Sequence, residues 1–411
     1  MLIKVKDMSK NEFAFVEFTI GLKMNQNFNK LNILILTNLK YLIVVYLFFA
    51  LSISVVSTTF LFNLPAIKVG LPFILLREIL FVGILTYIFF TSTEKASLLR
   101  LLAVSLLIFI NVMFIEVRFP LIILGFKSLL PLFYLLCVPK FEQRQSLHLS
   151  ADFWIKLIQT LLFCNLFFQL SHFFFGYGFY AKMFNFINSR NPGLFFFPAA
   201  SACFILILSS IYAQLKNRIK LKEIFIFIFM ISLCASITGV AGAFLLCFLN
   251  RHKIEKNNYS RVFILLCLSV IYLHFARLSM TGATYLEETG GGRYNILADV
   301  VKDNLKINGF EFLWNSPKHF GLYTNAAYNY YNGYLADSQI SALIGNLGPF
   351  WLIVVFIFFA YQVLVNYRLK NDLTVFYILV LCSVGLNISE SGATIFLAIL
   401  SRYFIPKASQ V

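Results

Sequence analysis

The sequence predicts an all-α polytopic membrane protein with about twelve transmembrane helices and one large loop outside the membrane. Of the 411 residues, 60% are apolar and only 13% are charged, and the mean hydropathy is +0.81. This composition excludes an ordinary soluble domain, and the lack of alternating ten-residue strands argues against an outer-membrane barrel. Residues 280–349 are too polar to cross a bilayer, so this insert is the first place to look for function.

Eight apolar runs approach the roughly 20 residues that a helix needs to cross the hydrocarbon core. They lie at 41–62, 71–90, 97–116, 119–138, 153–175, 194–213, 262–279 and 350–367. Two further runs, 223–249 and 373–404, are too long for one simple helix. Small or polar residues interrupt them at 238–242 and 387–392. We interpret each run as a hairpin of two short helices, which gives twelve crossings with both termini on one side.

The basic residues predict which side is cytoplasmic. With twelve crossings, most of the 34 lysines and arginines lie on the side of the two termini, which the positive-inside rule makes cytoplasmic. Residues 1–40 are then a cytoplasmic segment with no removable signal peptide, and 350–411 contain helices 10–12 and a short cytoplasmic tail. The net charge of +16 reflects topology and attraction to anionic membrane lipid, so nucleic acid is not expected as a partner.

Cysteine and histidine patterns predict neither a disulfide framework nor a metal site. All seven cysteines fall in apolar runs, and the five histidines are scattered along the chain. No cofactor is expected. Most of the remaining chemistry lies in two external loops: 176–193, within helices 1–9 (residues 41–279), and the insert 280–349.

Short motifs in these loops resemble bacterial O-antigen polymerases and ligases. Arg190-Asn191-Pro192-Gly193-Leu194-Phe195, followed by Pro198-Ala199-Ala200-Ser201-Ala202, resembles a segment that opens a membrane helix in those enzymes, although the asparagine after the proline is missing. Gly290-Gly291-Gly292-Arg293 and the amphipathic stretch after it resemble the start of their large periplasmic loop. The end of that loop resembles Tyr334-Leu335-Ala336-Asp337-Ser338-Gln339-Ile340-Ser341-Ala342-Leu343, with Gly345 and Gly348.

The resemblance covers roughly residues 40–405 and implies a GT-C-like architecture in a bacterial inner membrane. It implies polymerisation of undecaprenyl pyrophosphate-linked oligosaccharide repeat units into O-antigen or capsule-like polysaccharide on the periplasmic face. The partners are then the lipid-linked glycan donor and acceptor, together with a chain-length regulator. Ligases usually carry a His-Asn pair near the end of the loop, where this chain has Asp337-Ser338, and this departure favours a polymerase.

The residues themselves suit such a reaction without a metal. Arginine is a permanently charged, bidentate donor, so Arg190 and Arg293 are candidates to stabilise the departing pyrophosphate, with Arg277 as a third cation. Asp337, in the motif position, is the candidate to orient or deprotonate the acceptor hydroxyl, and His319 is an alternative. Glu287 and Glu288 are open for the same role. Aromatic side chains that suit sugar stacking are Tyr323, Tyr330 and Tyr334.

Each motif also has a purely structural interpretation. Arg190 is equally compatible with an interfacial residue that extends to the headgroups, and the glycine run favours a plain turn. Asp337-Ser338 is equally compatible with a helix cap, and the tyrosines with an interfacial belt. Within the spans, Arg77 and Glu78 are expected to form a structural ion pair, and Lys127 lies deeper in its helix.

Two other functions compete with the polymerase, and a non-catalytic scaffold for the polysaccharide machinery is a weaker third alternative. An O-antigen ligase, which transfers the polymer to lipid A-core, shares the expected architecture. A lipid-linked oligosaccharide flippase has a similar number of helices, but transporters often show two similar halves. Here the insert has no counterpart in the first half of the chain, which argues against a transporter.

Overall fold

A computed structural model describes most of the chain outside both termini. The described residues are 38–55, 71–92, 95–113, 118–137, 149–175, 191–195, 198–278, 292–308, 320–324, 327, 333–334, 338–368, 372–386 and 392–404. All regular secondary structure within these ranges is helical. The prediction of an all-α chain is therefore confirmed for the part that the structure describes.

Long helices form the body of the protein. The α-helices are α1 (Asn38–Val55), α2 (Leu71–Ser92), α3 (Lys95–Met113), α4 (Phe119–Cys137), α5 (Ala151–Phe175), α6 (Pro198–Leu215), α7 (Leu221–Leu233), α8 (Ile237–Leu249), α9 (Tyr259–Leu278), α10 (Gly292–Asn308), α11 (Gln339–Leu347), α12 (Phe350–Arg368), α13 (Thr374–Gly385) and α14 (Gly392–Phe404). Among the described residues, the helices long and apolar enough to cross a membrane are α1, α4, α5, α6, α9 and α12. The chain is therefore a multi-pass membrane protein.

The run 223–249 is a hairpin, as predicted, but it turns at another place. Ile219 precedes α7 and Lys253 follows α8. The N–H of Ile219 donates to the carbonyl of Lys253 at 3.0 Å, so the start of α7 and the end of α8 lie side by side. Each helix has 13 residues and is about 20 Å long. We call residues 233–238, where the chain reverses, the hairpin tip.

The predicted break at 238–242 is wrong, because these residues belong to α8. The chain reverses earlier, at Ala235, which has a φ of 44°. Ser236 then caps α8, since its hydroxyl accepts from the N–H of Gly239 at 3.3 Å. The glycines allow close helix packing instead: a Cβ on Gly239 would lie 2.8 Å from the Cβ of Ala202 in α6.

The second long run, 373–404, is also divided into two helices. Helix α13 ends at Gly385 and α14 begins at Gly392, so the interruption agrees with the predicted one at 387–392. Gly385 packs directly against the hydroxyl of Thr238 at the start of α8. The end of α13 therefore meets the hairpin tip.

Helix α6 is the central helix of the bundle. It packs against α5, α7, α8, α13 and α14, and nearly all of its side chains are buried. It starts later than the predicted span 194–213, because Pro198 occupies its first position, where a missing N–H is tolerated. Residues 191–195 before it form a buried turn.

The chain order places the turn and the insert on the same side of the bundle. Helices α5, α6 and α9 each have the length and apolarity of a span, and the hairpin between α6 and α9 returns to the side from which it starts. The end of α5, the turn 191–195 and the end of α9, where the insert begins, therefore share one side. We call it the insert side.

An ion cluster joins α2 to α4 inside the bundle. The guanidinium of Arg77 donates to the carboxylate of Glu78, with 2.8 Å from Nε to Oε1. The ammonium of Lys127 lies 3.5 Å from the same oxygen, and both Glu78 and Lys127 are buried. The expected pair of Arg77 and Glu78 is confirmed, and Lys127 extends it to a second helix.

Candidate functional site

The structure describes only some of the predicted site residues. Tyr323 and Tyr334 are described with their side chains, whereas Arg277 and Arg293 are described only as backbone positions of α9 and α10. Four predicted site residues lie outside the described residues: Arg190, His319, Tyr330 and Asp337. The residues that follow three of them in the chain are described: Asn191, Phe320 and Ser338. These neighbours show where the motifs attach to the bundle.

The turn 191–195, which follows Arg190, is buried inside the bundle. The N–H of Asn191 donates to the carbonyl of Leu233 at the end of α7, at 2.9 Å. The N–H of Leu194 donates to Oδ1 of Asn165 in α5, at 3.1 Å. Gly193 has a φ of 59° and packs against the Asn165 amide, so a side chain there would meet both backbone strain and a clash.

Three polar residues of α5 surround this turn. Asn165, Gln169 and His172 recur at helical spacing on one face, and all are buried. Nε2 of Gln169 donates to the carbonyl of Met230 at 3.0 Å, and His172 hydrogen-bonds to the backbone of Gly193. Sequence reasoning missed this face, although three polar side chains on one side of an apolar helix are themselves a functional sign.

The same contacts show how deeply the turn enters. Phe175, at the insert-side end of α5, is about 15 Å further along the helix than Asn165. Because Leu194 bonds to Asn165, the turn lies about 15 Å along α5 from the insert-side end of this helix. The turn is therefore a re-entrant segment, because it enters the bundle beside α5 from the insert side.

The end of the insert re-enters the bundle as well. Helix α11 begins at Gln339, whose N–H donates to the carbonyl of Leu386 at 3.2 Å. Nε2 of Gln339 donates to the carbonyl of Ser128 in α4 at 3.4 Å, and Ser128 is about 14 Å along α4 from Phe119. The start of α11, directly after Asp337, therefore lies at about the same depth as the turn.

A short segment of the insert fixes the other end of α11. The N–H of Gly321 donates to Oδ1 of Asn346 in α11 at 2.7 Å. Gly321 has a φ of 80° and packs directly on the backbone carbonyl of Leu121 in α4. Phe320, which follows His319, packs against Gly125. Helix α11 is thus attached to α4 at both of its ends.

The two described tyrosines stack on each other. The ring centroids of Tyr323 and Tyr334 are 4.9 Å apart, and the ring planes differ by 19°. Tyr323 is fully buried and packs against Gly345, so a sugar can reach its ring only after this stack opens. Tyr334 is half-buried. Substrate contact stays a prediction for both tyrosines, but the contact seen for Tyr323 is a core contact.

The hairpin tip connects the two motif segments. At one end of the tip, Leu233 accepts the hydrogen bond from Asn191; at the other end, Thr238 packs on Gly385. The residue after Gly385, Leu386, accepts the bond from Gln339. We call this assembly of 191–195, 233–238, 385–386 and 338–339 the tip junction. It ties the chain beside Arg190 to the chain beside Asp337.

Helix α10, which contains Arg293, also belongs to this side. It packs against α11 through a small apolar cluster that includes Val300, Ala342 and Ile344. The predicted amphipathic stretch after Gly292 is therefore a helix, and its apolar side covers α11. In this way the backbone at Arg293 is connected to the tip junction through α11.

Unpaired polar atoms lie near the second interruption. The hydroxyl of Tyr46 in α1 lies 2.8 Å from where a Cβ on Gly392 would stand, at the start of α14. Within the described part of the chain, neither this hydroxyl nor Oε2 of Glu78 has a hydrogen-bond partner. An unpaired buried polar group costs about 1–3 kcal/mol, so the bundle retains polar groups here at the expense of stability.

Comparison with models of known protein families, with curated proteins and with solved structures finds no match for this chain. Function is therefore inferred from the tip junction and from the sequence motifs beside it. The junction brings together two re-entrant segments that enter the bundle from the insert side, with buried polar side chains beside them.

Proposed function

We propose that the chain is a metal-independent glycan polymerase of bacterial inner membranes, with about twelve crossings and a GT-C-like arrangement. Its substrates are undecaprenyl pyrophosphate-linked oligosaccharide repeat units, which it joins on the periplasmic face into O-antigen or capsule-like polysaccharide. The observation that carries the proposal is the tip junction. There the chain beside Arg190 bonds to the hairpin tip, and the chain beside Asp337 bonds to the end of α13, which packs on the same tip. In the sequence, 147 positions separate the two residues.

The donor half of the reaction requires stabilisation of the departing lipid pyrophosphate. Arg190 and Arg293 supply permanent positive charge without a metal, and Arg277 lies near the end of α9 on the same side. The turn after Arg190 is buried in the bundle, where charge interactions are stronger than at the surface. Loss of one such preorganised donor raises the barrier by about 3–4 kcal/mol.

The acceptor half requires a group that orients a sugar hydroxyl. Asp337 directly precedes Ser338, the cap residue of α11, and the start of this helix is bonded to the bundle. Tyr330 and Tyr334, with Tyr323 once the stack opens, provide aromatic surface for the sugar rings. Because pyrophosphate is a good leaving group, a weak carboxylate base is sufficient for the attack.

Polymer length in cells tests the donor half. Arg190→Ala or Arg293→Ala is expected to abolish long polymer at unchanged protein level, and Arg→Lys to restore only part, because a point charge lacks the bidentate fork. Arg118→Ala is the matched control, since Arg118 is an exposed arginine at the insert-side start of α4. Normal polymer in both alanine variants at the proposed site would disprove the role of the arginines.

A second pair of variants separates polymerase from ligase. The polymerase proposal expects His319→Ala to keep substantial activity and Asp337→Asn to lose most of it. A ligase-like base would give the opposite result. Expression is matched by blotting, so that lost folding is not counted as lost chemistry.

A lipid-linked oligosaccharide flippase is the second candidate, and one observation favours it. Helices α7 and α8 are about 20 Å long and reverse inside the bundle, and discontinuous helices of this kind line many transporter sites. A deletion strain distinguishes the three functions. A single repeat on the lipid core indicates a polymerase, unattached long polymer a ligase, and loss of all repeats a flippase.

A further inference from the structure

The turn 191–195 depends on its neighbours for hydrogen bonds. In a bilayer interior, backbone polar groups without partners cost several kcal/mol each, and a turn cannot pair its own groups as a helix does. The described turn has one internal bond, from the N–H of Phe195 to the carbonyl of Pro192 at 3.1 Å. Side chains of α5 hydrogen-bond to backbone groups of three residues in the turn. These groups are the carbonyl of Asn191, the backbone of Gly193 and the N–H of Leu194.

Gln169 contacts more groups than the other two polar side chains of α5 do. Its Nε2 atom lies 3.5 Å from the carbonyl of Asn191, 3.0 Å from that of Met230 and 3.1 Å from Sγ of Cys234. One amide therefore joins α5, the turn and the end of α7. Gln169 is fully buried, so no surface function accounts for a polar residue at this position.

Asn165 contacts the other end of the turn. Its Oδ1 accepts from the N–H of Leu194 and from the hydroxyl of Ser201 at 3.3 Å, which links the turn to α6. Gly193 packs between Asn165 and Gln169, and its positive φ lets the backbone enter this narrow space. The turn is thus held in one place by contacts on both sides of Gly193.

We propose that Gln169, assisted by Asn165 and His172, is a positioning residue. The polar face of α5 fixes the turn 191–194, which directly follows Arg190 in the chain, against the hairpin tip. The assignment to polymerisation rests on the proposed function, whereas the fixing of the turn is independent of it. A solely structural role for Gln169 would stabilise the bundle without a specific effect at position 190.

The test uses the full-length protein in membrane vesicles and the substitution Gln169→Met. Methionine has a similar length and volume but cannot donate to the carbonyls of Asn191 and Met230. Gln362→Met is the matched control, because Gln362 is also a buried glutamine, whose Nε2 donates to the carbonyl of Leu136 at 2.6 Å in another part of the bundle. Each substitution is combined with R190C, and separately with R118C as a reference position on the same side.

The first readout is the rate at which a charged, membrane-impermeant maleimide labels the introduced cysteine. The parent protein with its seven native cysteines serves as the blank. We expect Q169M to change the labelling rate of R190C at least fivefold, with Q362M and the R118C reference unchanged. An unchanged rate in Q169M at normal protein level overturns the proposal, and so does an equal change in Q362M.

The second readout is polymer length in cells that retain Arg190. Shortened polymer in Q169M but not in Q362M supports positioning for polymerisation. A changed labelling rate with normal polymer supports the fixing of the turn and counts against the proposed role of Arg190, which separates the two failures. If Q169M does not accumulate, Gln169→Asn retains the amide on a shorter side chain, and the same labelling comparison then decides.

Discussion

The two re-entrant segments reach a similar depth by different means. Helix α11 satisfies most of its backbone by itself, and Ser338 caps its start by accepting from the N–H of Ser341 at 3.1 Å. The turn 191–195 has one internal bond and takes the rest of its partners from α5 and α7. Local sequence therefore supports α11, whereas the place of the turn depends on side chains from distant parts of the chain.

This difference predicts where each segment is vulnerable. The segment that bonds to the end of α11 packs on backbone, since Gly321 contacts the carbonyl of Leu121. The turn is fixed through side chains, such as the Asn165 amide beside Gly193, which can rotate. Substitutions at the two glycines should therefore differ in severity, although both have positive φ.

The largest expected effect is that of Gly321→Ala. The added Cβ meets both a φ of 80° and the Leu121 backbone, so we expect a loss of about 2–6 kcal/mol in the free energy of unfolding. Gly193→Ala is expected to cost less, about 1–3 kcal/mol. Thermal unfolding in detergent measures both. Gly83→Ala, with open space around Gly83 in α2, is the control and should be neutral or slightly stabilising. Equal losses at the two sites would contradict the comparison.

A second effect concerns the contact through which the hairpin tip supports both segments. Gly385→Ala places a Cβ against the hydroxyl of Thr238, so we expect a loss of about 1–3 kcal/mol. In a Thr238→Ala background the loss should be smaller by about 1–2 kcal/mol, as measured in a double-mutant cycle of unfolding free energies. Additive losses would show that the end of α13 and the tip are not coupled.

Much of the bundle follows from the sequence, because bilayer thickness fixes the length of a span. The predicted span 119–138 corresponds to α4 (Phe119–Cys137), and the predicted span 350–367 corresponds to α12 (Phe350–Arg368). The length of 223–249 and 373–404, together with the small or polar residues inside them, also predicted two helices in each run. These predictions require only local hydropathy and the roughly 20-residue rule.

Other features depend on partners that a single sequence does not reveal. The glycines at 238–242 suggested a break, but they lie in α8 because α6 approaches closely there. The polar face of α5 was visible in the sequence, yet its partner, the turn after Arg190, is separated from it by a loop. Tyr323 was interpreted from the density of tyrosines, whereas its burial depends on Gly345 in α11.

A smaller effect is expected at the cap of α11. Ser338→Ala removes the acceptor for the N–H of Ser341, and loss of such a cap costs about 1 kcal/mol. Ser383→Ala is the control, since the hydroxyl of Ser383 only donates to the carbonyl of Val380 within α13, at 2.7 Å. If Ser338→Ala lowers stability more than Gly385→Ala does, the cap of α11 contributes more to stability than the contact between Gly385 and Thr238.

The smallest effect concerns the base of the hairpin of α7 and α8, at the end away from the hairpin tip. The ammonium of Lys253 donates to the carbonyl of Ala213 at 2.6 Å and lies 3.9 Å from the carboxylate of Asp372. Burial lowers the pKa of Lys253, and Asp372 offsets part of this shift. Between the folded pKa and the higher unfolded pKa, the unfolded chain binds more protons, so stability rises with pH across that interval. Below the folded pKa the cost of burying the charge is fully present.

Lys253→Met removes this dependence of stability on pH. The melting temperature of the parent protein should therefore rise relative to that of K253M as the pH approaches the ordinary pKa of lysine, near 10.4. Parallel curves for the two proteins would show that Lys253 is not buried at the base of the hairpin.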